Sequence, residues 1–78
     1  MTYKTMSFIH NLLTNKEQET ALKLKWTREA FYEAEESFAT GAITKSELQT
    51  YEDHKERALA EHLEAAAALE EFENQDWR

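Results

Sequence analysis

Sixteen carboxylates and three histidines are the groups in this 78-residue chain with the most chemistry to offer. Their spacing is therefore the first question. Carboxylate-bridged dimetal sites in helical bundles use Glu-x-x-His, which sets both ligands on one helical face. Here Tyr51 stands three before His54 and Leu59 three before His62, so neither motif is present. The His-Glu-x-x-His pattern of zinc proteases is missing too. The chain has no cysteine, which removes thiol nucleophiles, thiolate zinc sites and disulfide scaffolds. Glutamate pairs such as Glu29–Glu33 and Glu70–Glu71 carry no sign of the cleft burial that would separate two carboxyl pKa values. No serine or threonine has a recognisable base and orienter. These residues predict a non-enzyme with no metal and no cofactor.

The elements that carry them read as all-α. One glycine and no proline exclude glycine-rich phosphate loops and argue against turn-rich β architectures. Gly41 follows a helix-periodic stretch ending in Phe38-Ala39-Thr40 and suits the left-handed position just past a helix C-terminus. Three residues later, Thr44-Lys45-Ser46-Glu47 is a capping box, in which the Thr44 hydroxyl accepts from the Glu47 amide and the Glu47 carboxylate returns to the Thr44 amide. A stop, a turn and a start in so short a span make a helical hairpin. The stretch Gly41-Ala42-Ile43-Thr44-Lys45-Ser46-Glu47-Leu48 resembles the turn of short C-terminal helical-hairpin modules found on many bacterial proteins, which read Gly-x-Ile-Thr-x-x-Glu-[Leu/Phe]. That resemblance is confined to the turn and implies two helices meeting there, without indicating a function.

Beyond the turn, Leu48, Lys55, His62 and Leu69 repeat at seven, as do Tyr51, Ala58, Ala65 and Phe72. Together they form one stripe along a second helix. Before the turn, Leu24, Phe31 and Phe38 also repeat at seven, with Thr27 and Ala34 between them. Antiparallel pairing sets Phe31 near Tyr51 and Lys55, and Leu24 near Ala58 and His62. His62 reads as a polar seam residue bonded to the facing helix, with a pH-sensitive loosening of the seam as the alternative. Lys55 is expected to carry its amine past the seam to Glu52 or Glu35. From Asn15 to Thr20 six polar residues run together and the seam fails, so Asn15 is expected to cap a fresh start. Met6, Phe8, Ile9, Leu12 and Leu13 make a short amphipathic segment ahead of it. The expected fold is a single domain over 1–78: a long antiparallel helical hairpin (about 16–39 and 45–73) with a short N-terminal helix (about 4–13), forming a three-helix or dimeric bundle. One long bent helix in place of the first two is the alternative.

Leu22 and Trp26 lie almost opposite the Leu24–Phe31–Phe38 seam. Either the first helix folds back, laying Phe8 and Ile9 against Leu22 and Met6 against Trp26, or another chain covers them. The predicted role is thus a protein-protein interaction module, self-associating as a homodimer or binding a partner protein. Its contact residues would be Phe8, Ile9, Leu22, Trp26, Phe72 and Trp77.

Charge is unevenly spread. Residues 1–28 carry a balance of +3, residues 29–44 of −4 and residues 45–78 of −6, for a net −7. A basic beginning and an acidic end suit antiparallel packing within a chain or head-to-tail contact between chains. The alternative function is an acidic inhibitor of regulatory or phage type, occupying the basic nucleic-acid site of another protein through Glu56, Glu61, Glu64 and Glu71. Nine acids along a second helix of roughly 43 Å are sparser than the charge of DNA, about one per 1.7 Å. Direct nucleic-acid binding is disfavoured, because Lys16, Lys23, Lys25 and Arg28 around Trp26 are outnumbered by acids elsewhere. The longest apolar run is Ala65–Leu69, too short to span a bilayer, and no signal-peptide pattern opens the chain. No membrane association and a cytoplasmic location are expected.

Overall fold

A computed structural model describes residues 3–75 and shows two α-helices packed antiparallel, α1 (Tyr3–Ala39) and α2 (Lys45–Glu73). The molecule is a rod with principal extents of 59 × 14 × 12 Å. Both helices are free of glycine and proline in their interiors, and their Ala, Leu, Glu, Lys and Gln content favours helix at nearly every exposed position.

The turn forms as its residues require. The Ala42 amide donates to the Ser37 carbonyl at 2.8 Å and the Gly41 amide to Phe38 at 3.0 Å, the pair of bonds that closes a helix in a Schellman motif. Gly41 takes φ +81°. At Thr44 the hydroxyl accepts from the Glu47 amide at 3.1 Å, and the Glu47 carboxylate accepts in return from the Thr44 amide at 3.4 Å. These bonds quiet the otherwise unpaired amides at the start of α2.

The expected short helix over 4–13 and the break at Asn15 do not occur. α1 runs without interruption from Tyr3 to Ala39, so the chain closes no third helix and Phe8, Ile9 and Met6 do not fold back onto Leu22 and Trp26. The reason is register. Counting back in sevens from Leu24 gives Glu17 and His10, and from Thr27 gives Thr20, Leu13 and Met6. The seam therefore passes through the polar stretch without a change of phase. Its polar members are accommodated: Thr20 is 3% exposed, and its Oγ1 lies 2.9 Å from the Lys16 carbonyl, 3.0 Å from that of Glu17 and 3.1 Å from His62 Nδ1 across the hairpin. A hydroxyl has one proton. With that proton directed at the carbonyls of the preceding turn, the ring Nδ1–H is the donor to Oγ1, an assignment made from the hydrogen-bond network.

The core is narrow. Leu24, Ala34, Ala58 and Ala65 are its buried apolar residues, and Ala58 is 1% exposed. The buried positions of α2, Ala58 and Ala65, are small, which lets the two helices approach closely. The ends of the seam are held by aromatic contacts. His10 stacks on Phe72 with centroids 6.0 Å apart and places Nε2 3.3 Å from a Glu73 carboxylate oxygen. Near the turn, the Lys55 ammonium sits 4.0 Å above the Phe31 ring centroid, a cation–π contact, in place of the expected reach to Glu52 or Glu35.

Two measurements check this account. A β-carbon at Gly41 would touch nothing within 4 Å, so Gly41→Ala is expected to cost only the left-handed backbone term, roughly 1–2 kcal/mol, in urea unfolding. Thr20→Val, which strips the partner from His62, is expected to cost about 1–3 kcal/mol. The Thr14 hydroxyl is buried without a hydrogen-bond partner among the described residues, so Thr14→Val should instead stabilise, by about 1 kcal/mol. Equal effects at the two threonines would contradict the assigned bonding.

Candidate interaction surface

With the seam occupied by α2, the side of α1 turned away from it is set by helix phase. Positions Phe8, Leu12, Asn15, Glu19, Leu22 and Trp26 follow one another at spacings of four and three, so they fall on one stripe opposite the seam. Four of them are large and apolar, and all four face solvent: Phe8 is 62% exposed, Leu12 53%, Leu22 46% and Trp26 60%. The stripe covers about 27 Å of helix. Single exposed apolar residues are ordinary; here they form two pairs on one stripe, separated by the exposed polar residues Asn15 and Glu19. On its two sides stand Lys16 and Lys23, and Lys25.

The structure thus brings Phe8, Leu22 and Trp26 onto one face as exposed residues. It turns Ile9 and Phe72 toward the seam, where both are half-buried; Phe72 is committed to His10. Trp77 lies outside the described residues. Leu12 belongs to the face and is missed when 4–13 is treated as a separate helix. The signal that finds it is its distance of ten from Leu22, which keeps the two on one stripe only if the helix between them is continuous.

The acidic residues are distributed otherwise. Glu56, Glu64 and Glu71 on α2 are exposed. Glu61 is half-buried at the helix–helix border, where its carboxylate accepts from the Lys23 ammonium at 2.8 Å. That hydrogen bond, aided by the nearby positive charges of Lys23, Lys16 and Arg57, holds the Glu61 carboxyl below its ordinary range. One of the four acids proposed for a nucleic-acid-like face is therefore neutralised within the chain.

Nothing among the described residues gathers three or more His, Cys, Asp or Glu side chains into a metal-binding group, and no helix there is long and apolar enough to cross a membrane. Among the described residues an open groove near the turn is lined by Ala30, Glu33, Ala34, Ser37, Ile43 and Tyr51. Set against known proteins, the chain matches no family model, and neither a curated sequence nor a solved structure shows significant similarity to it.

The Lys23–Glu61 pair gives a pH signature. Because Glu61 is held below its unfolded-state value, the stability it adds is present above the ordinary carboxylate range and fades as pH falls through its lowered value. Lys23→Met is expected to lower the thermal midpoint at neutral pH, with the difference from the parent chain disappearing in acid. High salt should shrink the same difference, since the pair is solvent-accessible. A difference that stays constant with pH would show that Lys23 acts through its aliphatic stem instead.

Proposed function

We propose that this chain is a non-enzymatic interaction protein that presents a rigid helical hairpin to another protein or to copies of itself, with the outer face of α1 as the contact. The observation that carries the reading is the exposed row Phe8, Leu12, Leu22 and Trp26 on one continuous helix. Aromatic and large aliphatic residues in the middle of a contact supply most of its binding energy, while surrounding polar residues exclude water. A preformed rod also lowers the ordering cost of association, since its side chains are displayed on a backbone that need not fold on contact.

The inhibitor reading rests on exposed Glu56, Glu64 and Glu71. Its contacts would be electrostatic and sensitive to salt, whereas contact through the α1 face would be carried by apolar burial and depend little on ionic strength.

Trp26→Ala and Leu22→Ala test the proposal. Both side chains are exposed, so the fold should tolerate either change within about 0.5 kcal/mol, while association should weaken by roughly 10- to 100-fold. Oligomeric state and partner binding that are both unaffected by these substitutions would refute this interface. Association that instead collapses on reversing Glu56, Glu64 and Glu71 to Lys, and fades with salt, would transfer the function to the acidic face.

A further inference from the structure

Resting on the reading of the outer α1 face as an interface, we propose that its occupant is a second copy of this chain. In this arrangement the two α1 helices pair antiparallel about a two-fold axis that crosses them at the level of residue 17.

The stripe itself points to this symmetry. In order it reads Phe8, Leu12, Asn15, Glu19, Leu22, Trp26: two large apolar residues, two polar ones, two large apolar ones. A two-fold contact requires that each position face the one equally far beyond the axis, so the patch must complement itself when reversed. Reversal about residue 17 sets Phe8 against Trp26 of the second copy, Leu12 against Leu22, and Asn15 against Glu19. Every large residue meets a large residue, and the polar pair meets the polar pair. The spacings of four and three reverse onto themselves as well, so no side chain is left facing a gap. This self-match exists only because α1 is continuous from Tyr3 to Ala39; a break at Asn15 would have put the two apolar pairs on independent helices.

Charge decides the direction. In the antiparallel pairing Lys16 lies within one residue's rise of Glu19 of the second copy, about 1.5 Å along the axis, and the symmetry makes this contact twice. Lys4 and Glu29 of the second copy stand at a similar offset near the ends of the overlap. A parallel pairing in register would match the same apolar residues but would set Glu19 on Glu19, Glu29 on Glu29 and Lys4 on Lys4. Like charges directly opposed oppose association, and opposite charges fix register.

The rod leaves surface to spare: the chain exposes 6091 Å² at a mass of 9.2 kDa, where a compact monomer of that mass exposes roughly 4,900 Å², and a standard stable interface takes roughly 800 Å² from each partner. The product is a flat layer of four helices in the order α2, α1, α1, α2, with the turns at opposite ends.

Sedimentation equilibrium from micromolar to millimolar protein, combined with one spin-label distance, tests this. The chain has no cysteine, so Glu36→Cys carries a single label on an exposed position outside the overlap. The antiparallel dimer predicts labels about 57 Å apart along the rod, while a parallel dimer brings them within about 20 Å, two helix diameters. Lys16→Glu and Glu19→Lys should each weaken the dimer about tenfold, and the double substitution should restore it, because the exchanged charges meet again across the axis. Short label separation, or a double variant no better than the single ones, overturns the antiparallel arrangement while leaving the α1 face as the contact. A monomer throughout overturns the second copy as occupant. Association that survives both Trp26→Ala and Leu22→Ala removes the underlying interface reading along with it.

Discussion

Two helices share a single seam, and here its centre is built from Thr20, Leu24, Ala34, Ala58 and Ala65 in place of a broad layer of large aliphatics. Everything else in the molecule follows from how little that seam encloses. The hydrophobic contribution to stability scales with the apolar area removed from water, and a hairpin removes it along one stripe per helix. Small residues let the helices interdigitate, which improves packing but adds little area. A chain of this size is marginal even when compact. The polar contacts on the seam consequently matter beyond their number, because they specify a register that alanines alone would define weakly. Thr20 with His62, Phe31 with Lys55, and His10 with Phe72 and Glu73 are spaced along the rod, and a slip of one turn would break all three.

The same narrowness leaves the far side of α1 unmatched. In a larger bundle a residue such as Trp26 would be covered by a third helix. Here the residues expected to supply that helix extend α1 itself, so Phe8 and Leu12 add to the uncovered surface when they might have hidden it. A continuous helix holds the two apolar pairs fourteen residues apart, about 21 Å, at a fixed angle to one another. Such a rod can recognise a partner by spacing, a property that two short helices joined by a break would lack.

Electrostatics is organised around the same geometry. Antiparallel folding lays the basic first part of α1 beside the acidic second half of α2, and Lys23 with Glu61 joins them at the border. Exposed acids on both helices, Glu56, Glu64 and Glu71 of α2 among them, contribute to a net charge of −7 on a small rod, which favours solubility and discourages indiscriminate contact.

The turn, the start of α2 and the ends of both helices beside it were legible in the sequence, because each depends on bonds between residues close in the chain. Gly41 closes α1 through Ser37 and Phe38, and Thr44 opens α2 through Glu47. Leu22 and Trp26 were legible as an unmatched face for a similar reason: helix phase alone places them opposite Leu24 and Phe31. The path of α1 through Asn15–Thr20 was not legible. Local polarity there suggests an end; the Thr20 hydroxyl donates to carbonyls of its own helix, but its burial is decided by α2, whose His62 meets it from 42 residues away. The same long-range phase decided that Phe8 and Leu12 face outward while Ile9 and Phe72 turn in, and that Lys55 rests on Phe31. Short-range hydrogen bonds write themselves into neighbouring residue types, but which positions of a helix are buried is decided by whatever the fold brings against them.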